Sequence, residues 1–440
     1  MLQYLSDKNV HRQTFALAIP MILSNLTVPI TGLVDTAVVG HLQQPYYLGA
    51  TAVGSLIITM LMWIMGFLRM STTGLAAQAT GRDDDFQQRQ VLFNGVITAL
   101  SLSLVILLLQ DLVWYLATVF MQASQEVLDY ARQYFDIRIW SLPALLLRYV
   151  FIGWLLGLQK ARWPLIILLI SNLVNIYLDI QFVVWMDWKV EGAAWASVIA
   201  DYAGLLVGII AVWICLKSIP STKKKPLFER SAIAKLIRMN RDIFIRTLAL
   251  ETVFYSQTAV GASMGDIVLA ANAVLMNFVL IMSYGLDGFA NAVEAMAGNA
   301  FGKRSQTAFK KAICVTGFWS LISSVMFMII FGLLGSQIIH IMTGLKDVQA
   351  IALMYLPYLV MLPLIGVWSY WLDGIFIGIT QLSSMRDSML VAVILVFLPL
   401  LFTVKLWGNH GIWIAFSGFM IMRAAGLAYY LQRYLKRTWI

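Results

Sequence analysis

The sequence predicts an all-α polytopic membrane protein: twelve transmembrane helices in two six-helix bundles related by a pseudo-two-fold axis along the membrane normal. Three observations predict it. The 440 residues are 60% hydrophobic and only 12% charged, whereas soluble domains average about 25% charged. Twelve apolar runs are each long enough for a crossing, which takes about 20 residues. Features of the first half of the chain recur in the second at a constant offset of 221 residues. Length alone would suggest two to four soluble domains, but no soluble core of this size needs such an excess of apolar side chains.

The runs fall at residues 15–39, 46–79, 91–114, 128–157, 164–186, 193–216, 242–262, 267–299, 309–334, 348–379, 388–405 and 411–432. The second, fourth, eighth and tenth exceed one straight crossing, which predicts tilting, bending or protrusion. Pro143, Pro357 and Pro363 supply kink points in them. With the N-terminus inside, the cytoplasmic segments hold 23 of the 31 Lys and Arg residues. The outer loops hold only Arg132, Lys189, Lys346 and Lys405, and Arg69, Arg138, Arg148 and Arg423 lie within runs. That asymmetry places both termini in the cytoplasm. It also explains the net charge of +9 without nucleic acid, since no basic face interleaves with stacking aromatics.

Cys215 and Cys314 lie inside apolar runs and form neither a disulfide framework nor a metal site. The polar start MLQYLSDKNVHRQTF lacks a small-residue cleavage site, so the first run reads as an uncleaved anchor. The expected organisation is an N-terminal bundle over 1–216, a cytoplasmic linker over 217–241 and a C-terminal bundle over 242–440. The basic linker reads as a segment resting on anionic headgroups.

The repeat is carried by specific pairs. Gly40 meets Gly261, LGATAV (48–53) meets LAANAV (269–274), Tyr134 meets Tyr355, and Tyr149 meets Tyr370. Gly153 and Gly157 meet Gly374 and Gly378, spaced as small-residue faces for close helix packing. Six runs per half is an even number, so both halves share one orientation, as in transporters built from parallel repeats.

Ionisable groups inside the runs are the candidate site. An ionised Asp35 near the outer end of the first run costs about 2.5–3.5 kcal/mol or more, so something must offset it. The fifth run carries Asn172, Asn175 and Asp179, with the last two on one helix face. Counting from the outer ends at 1.5 Å per residue puts Asp35 and Asp179 both about 7–12 Å below the surface. Tyr134, Ser197 and Asp201 are placed to complete that group. Carboxylates buried together are more easily held as the neutral acid, so such a pair suits proton loading and release. The alternative is that both acids only hydrogen-bond neighbouring helices.

In the second half, Glu251 and Asp373 match in depth near the inner side, and Asp287 and Glu294 lie in the eighth run. Such acids hold Na⁺ with tyrosine and carbonyl oxygens, bind a cationic substrate, or pair with a buried Arg. Arg69 needs a partner, either in a structural ion pair or in substrate.

The stretches IPMILSNLTVPITGLVDTAVVGHL (19–42), LGATAV…GFLRMSTTGLAAQATG (48–81) and SNLVNIYLDIQFV (171–183) resemble the multidrug and toxic compound extrusion (MATE) family, and within it the DNA-damage-inducible F branch. The resemblance covers essentially the whole chain. It implies two six-helix bundles of the MATE type facing a central cleft, and alternating access driven by H⁺ or Na⁺. It maps the family's proton-site Asp to Asp35, its Asn-x-x-x-Asp to Asn175 and Asp179, a tyrosine to Tyr134 and a hydroxyl to Ser197. The acids of Na⁺-coupled relatives fall on Glu251 and Asp373. The branch makes H⁺ the expected coupling ion and Na⁺ the alternative, with no cofactor. Implied partners are amphipathic or cationic small molecules and membrane lipids, for a monomer in a bacterial inner membrane.

Other classes fare worse. No G-x-x-x-x-G-K-[ST] is present, so ATP does not power the chain directly. A lipid or lipid-linked precursor flippase needs a cationic cleft, and only Arg69, Arg138 and Arg148 speak for one. An enzyme has little support, because H-E-x-x-H and G-x-S-x-G are absent and His11, His41, His340 and His410 do not converge.

Overall fold

In the bilayer core no water meets exposed N–H and C=O groups, so long apolar segments satisfy their backbone as helices. The computed structural model describes residues 4–40, 45–119, 124–220 and 230–438, without some side chains in 28–48 and 230–235. No strand occurs among the described residues.

The first six long helices are α1 (Lys8–Gly40), α2 (Pro45–Met65, then Phe67–Gly81 past a break at Gly66), α3 (Asp85–Leu108), α4, α5 and α6 (Lys189–Lys217). Helix α4 joins Gln125–Arg138 to Leu142–Gly157 through a tight turn at Ile139–Ser141, with Pro143 just past the turn. Helix α5 runs Arg162–Asp179 and ends in a π-helical turn, Ile180–Trp185. The second six are α7 (Arg230–Ala262), α8 (Asp266–Gly302), α9 (Gln306–Met342), α10 (Lys346–Gly378), α11 (Leu382–Trp407) and α12 (Asn409–Thr438). Ten of these are long and apolar enough to span a membrane, and α1 and α7, at 33 residues each, complete the twelve. The chain is an integral membrane protein.

One detail differs from the sequence reading. Helix α7 begins at Arg230, inside the segment read as a linker. Pro357 and Pro363 lie inside α10, which a bilayer helix tolerates when its neighbours take up the freed carbonyls.

The repeat is written in the backbone. Left-handed corners occur at Asp83 and Arg304 (φ 49° and 54°), at Gln159 and Thr380 (60° and 57°), and at Asp187 and Gly408 (54° and 54°), each pair 221 residues apart. Beside the first pair, Asp84 and Ser305 cap α3 and α9 by accepting hydrogen bonds from the N–H groups of Gln87 and Ala308.

Packing divides the chain into two compact units, Leu23–Leu236 and Met1–Ile22 with Ile237–Ile440. The start of α1 is therefore packed with the second repeat. Trp319 Nε1 donates to His11 Nδ1 at 2.8 Å, and the Phe15 and Trp319 rings are 4.5 Å apart. In the first unit Trp154, Phe135 and Leu68 are fully buried. A Cβ at Gly157 would lie 2.5 Å from Ala76 Cβ, and one at Gly153 2.5 Å from the Arg69 carbonyl oxygen. In the second unit a Cβ at Gly378 would lie equally close to the Glu294 carbonyl oxygen, at 2.5 Å. The glycine pairs thus let α4 lie on α2 and α10 on α8 backbone to backbone.

Candidate functional site

In the first unit, α5 supplies the polar face that the sequence indicates. Asn172 Nδ2 donates to Thr27 Oγ1 of α1 at 2.6 Å. One turn on, Asn175 Nδ2 donates to Ser197 Oγ of α6 at 3.3 Å, with both residues buried. One further turn brings Asp179, only 1% exposed. The π-helical turn starts at the next residue. There the backbone gives up its tight i→i+4 ladder, a local loosening that recurs at functional sites. Asp35 lies on α1, but its side chain is outside the described residues. It stands eight residues past Thr27, about 12 Å, as Asp179 stands seven past Asn172, about 10.5 Å, at 1.5 Å rise per residue. The contact at Thr27 and Asn172 therefore registers α1 and α5 so that both acids fall at similar depth.

Tyr134 is buried on α4 and lies against the guanidinium of Arg138. That guanidinium is committed elsewhere: Arg138 Nη1 donates to Asp201 Oδ2 at 2.6 Å. Arg148 Nη1 reaches Asp201 Oδ1 at 3.1 Å and donates to Ser171 Oγ at 2.8 Å. Asp201, placed by sequence beside the proton-site group, is thus a buried counter-ion for two arginines. Arg69 is half-buried on α2, and Tyr149 lies within electrostatic reach of both Arg69 and Arg148.

In the second unit, Asp373 on α10 is ion-paired to Arg246 of α7 and Arg423 of α12. Pairing with buried Arg is one of the three roles the sequence leaves open to it. The guanidinium of Arg423 lies 5.7 Å from the Tyr370 ring centroid, and the Tyr370 hydroxyl meets Ser283 Oγ at 2.5 Å. Asp287 acts electrostatically on both Arg246 and Tyr370, which puts it beside this group. Glu294 is buried on α8 at 1% exposure. Glu251 is half-buried and makes no ion pair with any described residue. It follows Arg246 by five residues, about 140° round the helix, so the structure does not join it to Asp373. Arg246 is the residue the sequence reading missed, because it was counted with the cytoplasmic charges. Its spacing of four from Asp242, whose carboxylate meets Arg386 Nη1 at 2.7 Å, was the available signal that this face of α7 is buried.

Twelve bilayer-length helices in a 221-residue repeat, with buried acids and arginines between them, define a polytopic transporter built from parallel repeats. The MatE family model matches residues 20–180 and 243–404. The chain is 42% identical over 426 residues to DNA damage-inducible protein F of Escherichia coli, covering 96% of this chain and 92% of that one. A probable multidrug resistance protein NorM of Photorhabdus laumondii is 25% identical over 400 residues, 90% of this chain and 88% of that one. A crystal structure of MATE in the straight conformation superposes with a TM-score of 0.87 at 18% identity, over 98% of this chain and 97% of that one. The chain belongs to the MatE family of multidrug and toxic compound efflux transporters, and is a transporter, not an enzyme.

Proposed function

We propose that this chain is an H⁺-coupled antiporter that exports amphipathic or cationic organic compounds, with Asp35 and Asp179 as the proton-carrying acids. One observation carries the reading: the acid of the second unit that would hold Na⁺, Asp373, already faces two arginines, whereas Asp179 lies buried one turn past Asn175 on the polar face of α5. A cation entering beside Asp373 would meet two fixed positive charges. A proton arriving at Asp179 removes the cost of a buried carboxylate instead. Asn175 and Ser197 position the α5 face, and Tyr134 closes it from α4. Glu251, Asp287 and Glu294 supply acidity for a cationic substrate in the second unit. Arg69 serves as a structural cation of α2.

The reading extends to the whole chain. The protein works as a monomer in a bacterial inner membrane with both termini cytoplasmic, built from bundles 1–216 and 242–440 joined by 217–241, with no cofactor beyond the coupling ion. The gradient supplies about 2.3 kcal/mol per charge per 100 mV, plus about 1.4 kcal/mol per pH unit. The test is efflux of a fluorescent cationic dye from proteoliposomes under separate pH and Na⁺ gradients. Export driven by the pH gradient and lost in Asp35→Asn and Asp179→Asn is expected. Export driven by Na⁺ alone and lost in Glu251→Gln would move coupling to the other unit.

A further inference from the structure

At the end of the first unit where α5 passes into α6, a cavity of about 470 Å³ opens between α4 and the start of α6. Its walls are aromatic, from Tyr130, Trp188 and Trp195, and it carries both signs of charge, from Asp187, Glu191 and Lys189. Trp188 is fixed in place by stacking on Phe182, 4.9 Å between centroids, and by donating its backbone N–H to the Phe182 carbonyl oxygen at 2.9 Å. The Lys189 ammonium lies 5.6 Å from the centroid of the Tyr47 ring, which packs edge-on against Tyr130. Immediately beside the cavity the chain exposes Val184, Trp185 and Met186 at 57%, 72% and 52%. That is an apolar skirt of the kind that sits at the membrane–water boundary.

In the second repeat the corner before α12 is built by Gly408 at φ 54°, and in the first the same corner is built by Asp187 at φ 54°. Lys189, two residues on, is also left-handed at φ 50°. Non-glycine residues hold the same conformation at the other corners of the repeat, Asp83, Gln159, Arg304 and Thr380, so the particular feature here is the side chain that the corner carries. A residue with a carboxylate thus stands in a corner that the repeat makes with glycine, and that carboxylate lines the cavity.

We propose that this cavity binds the headgroup of an amine-bearing phospholipid, with the ammonium held by Asp187, Glu191 and the aromatic walls, and the phosphate by Lys189. The paired charges suit a zwitterion better than a lone cation, because the ammonium of Lys189 and the positive end of α6 offset part of the acidic charge. The exposed Val184–Met186 skirt continues the site toward the acyl chains. The site does not depend on which ion drives transport.

The test is phospholipid retention by the purified full-length protein, read by native mass spectrometry after detergent delipidation and re-addition of phosphatidylethanolamine or phosphatidylglycerol. The wild type is expected to retain phosphatidylethanolamine at least tenfold over phosphatidylglycerol. Asp187→Gly keeps the left-handed corner, as Gly408 does, and is expected to fold and to lose that preference. Lys189→Ala is expected to lose retention of both lipids, and Trp195→Phe to keep it where Trp195→Ala does not. An unchanged lipid profile in Asp187→Gly and Lys189→Ala overturns the proposal. So does binding of soluble ethidium at this cavity, lost in Asp187→Gly, without any phospholipid preference.

Discussion

Asp201 and Arg423 stand one position apart in the two repeats and carry opposite charges. With the 221-residue offset of the backbone corners, Asp201 corresponds to position 422. In the first unit the acid is on α6 and its arginines, Arg138 and Arg148, are on α4. In the second unit the acid, Asp373, is on α10, the counterpart of α4, and the bases come from α12 and α7. Each unit thus buries a carboxylate between two guanidiniums, with the helices that carry the acid and the bases exchanged. Two copies of one six-helix plan have reached the same local charge balance by opposite routes.

Each buried acid is expected to be structural. Asp201→Asn or Asp373→Asn leaves two buried arginines facing each other, and breaking such a group costs about 3–5 kcal/mol. Thermal unfolding of the purified variants should show a clearly lowered midpoint. Replacing all three members in the first unit, Arg138→Met, Arg148→Met and Asp201→Leu, should recover most of it. Single variants that melt with the wild type would mean that the arginines find other partners.

A second expectation concerns sodium. Ligand at 100 times its Kd adds about 2.7 kcal/mol to the folded state. Because Asp373 is balanced by Arg246 and Arg423, exchanging K⁺ for Na⁺ at constant ionic strength should leave the unfolding midpoint where it is. A rise in Na⁺ that Glu251→Gln removes would show that Glu251 carries the ion without Asp373.

The contrast between these acids shows what a sequence makes legible. Helix number, the repeat and the face shared by Asn175 and Asp179 follow from run length, fixed offset and a spacing of four, all of which are local. Ser197 is named by the family resemblance as a hydroxyl near this face, while its bond from Asn175 is seen only in the structure. The grip of Arg138 and Arg148 on Asp201 is not legible either, because it depends on how α4 and α6 are rotated about their axes. Arg246 was missed for a simpler reason. Arg246 lies in the first turns of the seventh run, 242–262, and counting it with the linker charges just before that run hid it.

The glycine pairs give a prediction with an internal control. A methyl group at Gly157 would lie 2.5 Å from Ala76 Cβ, so α4 must move off α2 to admit it. Overpacking of this kind costs about 1–3 kcal/mol, and Gly157→Ala should lower the midpoint accordingly. Gly332 on α9 is the control, since a Cβ there meets only Val360 Cγ1 at 3.7 Å, an ordinary contact. Gly332→Ala should gain about 0.5–1 kcal/mol from better helix propensity. Equal effects at the two sites would remove close packing as the reason for the paired glycines.

The start of the chain supplies a pH-dependent contact outside the membrane. Lys311 Nζ lies 2.8 Å from Asp7 Oδ2, and its hydrogen bond holds the Asp7 carboxyl below its ordinary value of 3.8. A carboxyl lowered in the folded state stabilises that state at pH values above its unfolded value. The contribution is then lost as the pH falls through the lowered folded value. The contact is therefore fully present at neutral pH and fades below about pH 4. Both groups reach solvent, so the contribution is small and screened by salt. The unfolding midpoint of Asp7→Asn should lie below that of the wild type at pH 7, approach it in high salt, and meet it as the pH drops below 4. A gap that stays constant down to pH 2 would assign the effect of Asp7 to its hydrogen bonds with the backbone of Asn9 and Val10, and not to the charge on Lys311.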